Sequence, residues 1–191
     1  RQFGECIVVF VDGSNALLGS FYRSSSAIGD YETYIVRDLV SAIDAKYRTL
    51  PVRESRGITG FSMGGQGAIH LALNFPEVFS VAVSQAGYYD ATDTVTDNVL
   101  REVARVNPKT AGAIGSMTLR TQALFPYLPA TIPDPSRPPF YYDPPYSYAA
   151  GKYTTNQAAL DKLRATDVAH GDVSRHAQQA VRLTALKVVH G

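Results

Sequence analysis

Hydrophobic positions in the first ninety residues form three short strand-like runs separated by two amphipathic stretches. Cys6-Ile7-Val8-Val9-Phe10-Val11 is a continuous β-branched and aromatic run that stops at Asp12-Gly13. It lacks the alternation of a half-exposed strand, which predicts a strand buried on both faces of a parallel sheet. A Gly- and Ser-containing loop follows, through Gly29. Asp30 is placed to cap a helix reaching about Arg48, on which Val36, Val40, Ile43 and Tyr47 form one apolar stripe. Pro51 ends that connection, and Gly57-Ile58-Thr59-Gly60 reads as a short strand. A helical pattern then runs from Met63 to Phe75, with Ala68, Leu71, Ala72 and Phe75 on one side, and Pro76 closes it. Val81-Ala82-Val83-Ser84 is the third strand, ending at Gly87. A β-α-β-α-β series with short links predicts an α/β fold with a parallel sheet and right-handed crossovers.

The regularity changes over residues 91–184. Val99, Val103 and Val106 mark a helix stopped by Pro108, and a second helical stretch lies near 116–125. Eight of the eleven prolines fall between Pro126 and Pro145, interleaved with Tyr127, Phe140, Tyr141 and Tyr142. Such a segment is neither a central strand nor a long helix, because proline lacks the N–H that both require. Two short helices, near 156–165 and 172–183, lead to a last strand at Leu186-Lys187-Val188-Val189. There is no internal repeat. Both ends read as cuts through a larger domain: an apolar strand begins within six residues of Arg1, and no polar tail follows Val189.

Composition narrows the function. The 191 residues suit one domain of ordinary size, with an apolar content of 45% and a charged content of 18%. Eighteen basic and seventeen acidic residues nearly cancel and neither sign forms a block, which argues against a nucleic-acid partner or an anionic membrane surface. No apolar run approaches the ~18 residues of a membrane span. The lone Cys6 excludes an intrachain disulfide and a Cys-rich zinc site. It leaves the compartment, cytoplasmic or secreted, undetermined.

The candidate chemistry sits at Gly60-Phe61-Ser62-Met63-Gly64, between a predicted strand and a predicted helix. A serine hydroxyl is a weak nucleophile, so a protein must expose it, deprotonate it and stabilise the oxyanion it creates. A sharp strand-to-helix turn exposes Ser62, and the Met63 backbone N–H at the helix start points toward the developing oxyanion. Gly65 and Gly67 keep the first turns slim. On a helix meant only for stability, each would cost about 1 kcal/mol relative to Ala.

Gly19-Ser20-Phe21-Tyr22, the stretch Tyr31 to Leu39, Tyr47-Arg48-Thr49 and the stretch Gly60 to Ala68 together resemble the Putative esterase family of α/β-hydrolases. That family includes esterase D (S-formylglutathione hydrolase), feruloyl and acetyl-xylan esterases, and the mycolyltransferases. The likeness is close over about residues 7–90, weaker at 185–191, and carries no motif across 91–184, which looks like the family's variable insertion. It implies an α/β-hydrolase fold, a mostly parallel sheet with helices on both faces. It implies that Ser62 is the nucleophile and that Met63 gives an oxyanion N–H. It also implies a second oxyanion donor on a strand preceding Arg1, a triad acid after the last strand, and a histidine later still. Neither triad partner of Ser62 is therefore expected within these residues.

The remaining polar residues have two readings each. His70 lies eight residues after Ser62 on one predicted helix, roughly 12 Å along its axis, and reads as a core or flank residue. His176 reads as a solvated helix residue, and His170 as a loop residue, the alternative being that it reaches the site. His190 ends the final strand, where sites of such sheets lie, and is a fallback base. Asp90, past the third strand, is the fallback acid or an ordinary loop residue. Gln85 either lines the pocket or is a loop amide bonding backbone. The Pro/Tyr segment at 126–148 is either a wall of the acyl site or simply a packed connection. The leading expectation is a serine carboxylesterase acting on a small-molecule ester, without metal or organic cofactor. The rivals are an acyltransferase of the same fold and a catalytically incomplete binding protein; the oligomeric state is not readable.

Overall fold

The structure, a computed structural model, describes residues 4–90 and 94–189. Its strands in chain order are β1 (Ser24–Ser25), β2 (Gly29–Asp30), β3 (Gly57–Phe61), β4 (Val81–Gln85), β5 (Tyr146–Ala149), β6 (Lys152–Thr155) and β7 (Ala185–Val189). The central sheet has the order β3-β4-β7 and is parallel throughout. The register aligns Phe61 with Gln85 and Gln85 with Val189, so the three strands end along one edge. The β5–β6 hairpin turns through Ala150 and Gly151, both with φ > 0, the geometry of a two-residue hairpin loop.

The first long helix, α1, spans residues 31–46. Asp30 caps it, accepting from the Thr33 N–H, as its sequence predicts. Its middle, Tyr34–Leu39, is a π-helical segment. The wider turn shifts the phase of the faces, so Ile35, outside the predicted stripe, is the buried residue, while Tyr47 is 46% exposed.

Helix α2 (Met63–Asn74) lies directly on β3 and β4 and is buried from Gly65 to Leu73. Ile69, Ala72 and Leu73 pack with Ala82 and Val168, while Leu71 packs with Ile35 and Phe79; Ile58 touches both groups. The helices thus gather on the sheet face that carries Ile58 and Ala82. Among the described residues Phe61, on the other face, is 71% exposed.

Residues 91–184 supply α3 (Thr94–Val106), α4 (Ala111–Ile114), α5 (Leu119–Leu124), α6 (Tyr127–Thr131), α7 (Gln157–Thr166) and α8 (Val173–Ala180), with a π turn at Val168–Asp172 before α8. They build a separate core from Val99, Val103, Phe125, Tyr127, Ile132, Phe140 and Leu163. Phe21 inserts into this core, and Leu17 and Met63 pack against it. The proline-rich stretch is compatible with α6 because the helix is only five residues long.

One predicted strand is absent. Cys6–Val11 forms no ladder with any described residue, and Ile7, Val8 and Phe10 are 47%, 68% and 93% exposed. A strand exists only through the hydrogen bonds of a neighbour, and here no described segment offers one. Only Val11 contributes to a core, beside Ile35 and Phe79.

Gly67 and Gly112 separate packing from propensity. A Cβ on Gly67 would overlap the Tyr22 ring, whereas one on Gly112 would meet nothing closer than Thr110 Oγ1 at 3.8 Å. Gly67→Ala should therefore destabilise the protein by about 1–3 kcal/mol. Gly112→Ala, within α4, should be neutral or stabilising by up to about 1 kcal/mol. Urea midpoints of the two variants check this; equal effects would contradict it.

Candidate active site

Ser62 joins β3 to α2 with φ 53° and ψ −116°, a conformation costly for a residue with a Cβ. Two backbone bonds hold the turn: the Ser62 N–H donates to Gln85 O at 2.9 Å, and the Gln66 N–H donates to Ser62 O at 3.1 Å. A Cβ on Gly60 would overlap the Gly64 backbone, and one on Gly65 would lie 2.7 Å from Ser84 Oγ and 2.8 Å from Gln85 O. Gly60 and Gly65 are thus what let strand, turn and helix close on one another. Gly64 meets only Tyr22 Oη, at 3.9 Å, so its own lack of a side chain relieves no crowding.

Ser62 is exposed and its side chain makes no capping bond. Met63 opens the first turn of α2, where backbone N–H groups have no intrahelical acceptor. Its side chain is half-buried between the two parts of the molecule, with Sδ 3.2 Å from where a Gly19 Cβ would stand and Pro126 3.7 Å from the same point. Gln85 is exposed at the end of β4, and its backbone, rather than its amide, makes the contact with Ser62.

No described histidine hydrogen-bonds Ser62. His170 lies in the π turn before α8, where its backbone N–H donates to Asp167 Oδ1 at 2.6 Å and its Nδ1 lies 3.1 Å from Asp167 Oδ2. Asp90 Oδ1 lies 3.9 Å from the same nitrogen. Asp90, Asp167 and His170 are the group of the described residues whose ligand atoms, within 4.8 Å of one another, have the composition of a cation site. The bonds from His170 to Asp167 already account for this grouping as a helix cap. His190 lies outside the described residues.

His70 is only 4% exposed and is the centre of a polar network that the sequence does not announce. Nδ1 lies 2.6 Å from Asp172 Oδ2 and Nε2 lies 2.6 Å from Glu32 Oε1. An imidazolium satisfies both, donating from each nitrogen. Arg23 Nη2 donates to Asp172 Oδ2 at 3.0 Å, and Asn74 Nδ2 donates to Asp172 Oδ1 at 3.1 Å. Burial pushes the carboxyls of Glu32 and Asp172 up, but hydrogen bonds and charge from His70, with Arg23 beside them, outweigh it and hold both below their ordinary values. The network ties α1, α2 and the Val168–Asp172 turn together.

The parallel sheet β3-β4-β7 and the helices packed on it make this an α/β protein. Comparison of the sequence goes further: it matches the family described as Putative esterase over residues 11–181, and the chain belongs to that family. Esterase Rv1288 of Mycobacterium tuberculosis (strain ATCC 25618 / H37Rv) is 35% identical over 85 residues, 42% of this chain and 18% of the relative. The diacylglycerol acyltransferase/mycolyltransferase Ag85C of Mycobacterium leprae (strain TN) is 25% identical over 95 residues, 47% of this chain and 28% of that protein. The matches thus span less than a third of these relatives' lengths. Among solved structures, Mycobacterium tuberculosis MPT51 (FbpC1) superposes with a TM-score of 0.39 and 16% identity, over 90% of this chain and 64% of that one.

The network makes an acid-dependent prediction. Carboxyls held low in the folded state add stability at neutral pH that is lost as pH falls through their folded pKa values. Loss should set in below the ordinary values of 4.5 for Glu32 and 3.8 for Asp172. Urea midpoints between pH 7 and pH 3 should fall steeply for the native protein and less steeply for Glu32→Gln, which starts lower at pH 7. Parallel curves would show that Glu32 carries none of the acid sensitivity.

Proposed function

We propose that the chain is the nucleophile-bearing part of a serine carboxylesterase. The observation that carries this is Ser62 itself, an exposed residue held at φ 53° between β3 and α2. Ser62 Oγ attacks the ester carbonyl carbon, and the Met63 N–H donates to the oxygen as it becomes an oxyanion. Collapse expels the alcohol and leaves an acyl group on Ser62, which water then hydrolyses. The proton from Ser62 passes to a histidine outside the described residues, since His70, His170 and His176 are placed elsewhere. No cofactor or metal enters this scheme.

A second reading, transfer of the acyl group to an alcohol in place of water, is favoured by the likeness to a named acyltransferase. It uses the same residues up to the acyl-enzyme. In either reaction residues 91–184 form a cap-like insertion, and Met63, Gly19 and Pro126 mark where it meets the serine turn. Gln85 borders the pocket from β4.

In the whole protein, Ser62→Ala should lower kcat for a nitrophenyl ester by at least ~10⁴, because nucleophile and base act as one unit. A fluorophosphonate should label Ser62, and EDTA should leave the rate unchanged. Labelling elsewhere, or near-normal turnover of the alanine variant, would remove the basis of the proposal. Replacing 126–148 with a short Gly/Ser link should reorder acetyl, butyryl and feruloyl esters, since aromatic walls suit flat or apolar acyl groups. An unchanged order with intact folding would make that segment a packed connection only.

A further inference from the structure

An open cleft of about 500 Å³ lies among β1, α1, α2, α6, α7 and α8, away from Ser62. Its wall includes Arg23, Glu32, His70, Lys162, Arg175 and His176. Three of these are permanent cations, and Glu32 is the only carboxylate among the described lining residues. Glu32 is already engaged by His70 at 2.6 Å. Asp172 sits behind the wall, fully buried, with its two oxygens shared among Arg23, His70, Asn74 and Arg175.

The donors on the wall outnumber their acceptors. Lys162 is exposed and forms no ion pair with a described residue. Arg175 uses a single nitrogen, Nη2, on Asp172 at 3.4 Å, and its side chain is 53% exposed. Arg23 is 5% exposed, and its Nε finds no partner among the described residues. Lys162 stands on α7 and Arg175 on α8, so cations from two helices face one space. Such a surplus in a partly desolvated cleft favours an anion, and guanidinium groups match the oxygens of phosphate and carboxylate. The volume lies within the range of small-molecule sites, so it holds more than a single inorganic ion.

We propose that this cleft binds a small molecule through a phosphate or carboxylate group, held by Lys162 and Arg175 over the buried Arg23–Asp172–His70 network. The site is separate from the ester site: His70 follows Ser62 by eight residues on α2, about 12 Å along the helix. It stands or falls independently of the proposed esterase chemistry.

The test is calorimetric titration of the whole protein with pyrophosphate and with citrate, at constant ionic strength. Saturable one-to-one binding is expected with at least one of them, and the tighter ligand identifies the group recognised. Lys162→Gln and Arg175→Gln should each weaken binding at least tenfold, while Lys152→Gln, on the exposed β5–β6 hairpin, should leave it unchanged. Lys162→Gln decides the matter, because Lys162 forms no ion pair with a described residue and its exchange leaves the fold intact, as a circular dichroism melt will verify. No saturable heat with either anion would overturn the proposal. So would equal weakening by Lys152→Gln, which would mark a diffuse charge effect.

Discussion

The closeness of α2 to the strands beneath it governs the sheet half of the molecule. Gly60 and Gly65 permit the approach at the turn, and Gly67 leaves room on α2 for the Tyr22 ring, which takes the space a Cβ would fill. This approach has two consequences. It drives Ser62 into a positive-φ conformation that its surroundings must hold, and the Gln85 carbonyl and the Gln66 N–H do so. It also leaves α2 buried from Gly65 to Leu73, so a short helix becomes the element on which the others pack. The glycines weaken the helix in isolation, and the packing they allow more than offsets that weakness.

A helix so deeply buried would ordinarily be apolar all round, yet His70 lies within it. Its position is tolerable because each ring nitrogen meets a carboxylate, and one of these, Asp172, also accepts from Arg23 and Asn74. Buried charges of this kind contribute little net stability compared with a well-packed apolar alternative. Removing one partner, by contrast, strands the others at a cost of about 3–5 kcal/mol. The network therefore acts chiefly as a register pin: α1, α2 and the turn before α8 fit together in the arrangement that brings His70, Glu32, Asp172, Arg23 and Asn74 into contact.

The two cores meet at the loop over residues 17–23. Phe21 enters the core of residues 91–184, while Tyr22, its neighbour, lies against α2 on the sheet side. Phe21 and Tyr22 both adopt positive φ, at 51° and 58°, which points successive aromatic rings into different cores. The Gly19-Ser20-Phe21-Tyr22 segment of the family resemblance thus has a physical task. It joins the core of residues 91–184 to the sheet side, and Ser20, fully buried, donates its hydroxyl to Gly13 O to fix the loop.

Much of this was legible from local pattern. The elements β3, α2, β4, α3, α7 and β7, the Asp30 cap and the Ser62 turn follow from hydrophobic period, capping residues and glycine spacing, which act within a few residues of one another. The β5–β6 hairpin was less legible, because Ala150-Gly151 is a weaker turn signal than Asn-Gly. Other features depended on partners distant in sequence. Whether Cys6–Val11 forms a strand depends on a neighbour to pair with, and whether Ile35 or Tyr47 is buried depends on the π-helical segment and on Phe79. Most clearly, His70 is partnered with Asp172, 102 residues away, and with Glu32, 38 residues away. Sequence by itself determined which residues can form each element and where a serine stands at a strand-to-helix turn, since short-range sterics and hydrogen bonding decide those. Only the tertiary structure decided which charges share a buried space, because that is a matter of packing between elements far apart along the chain.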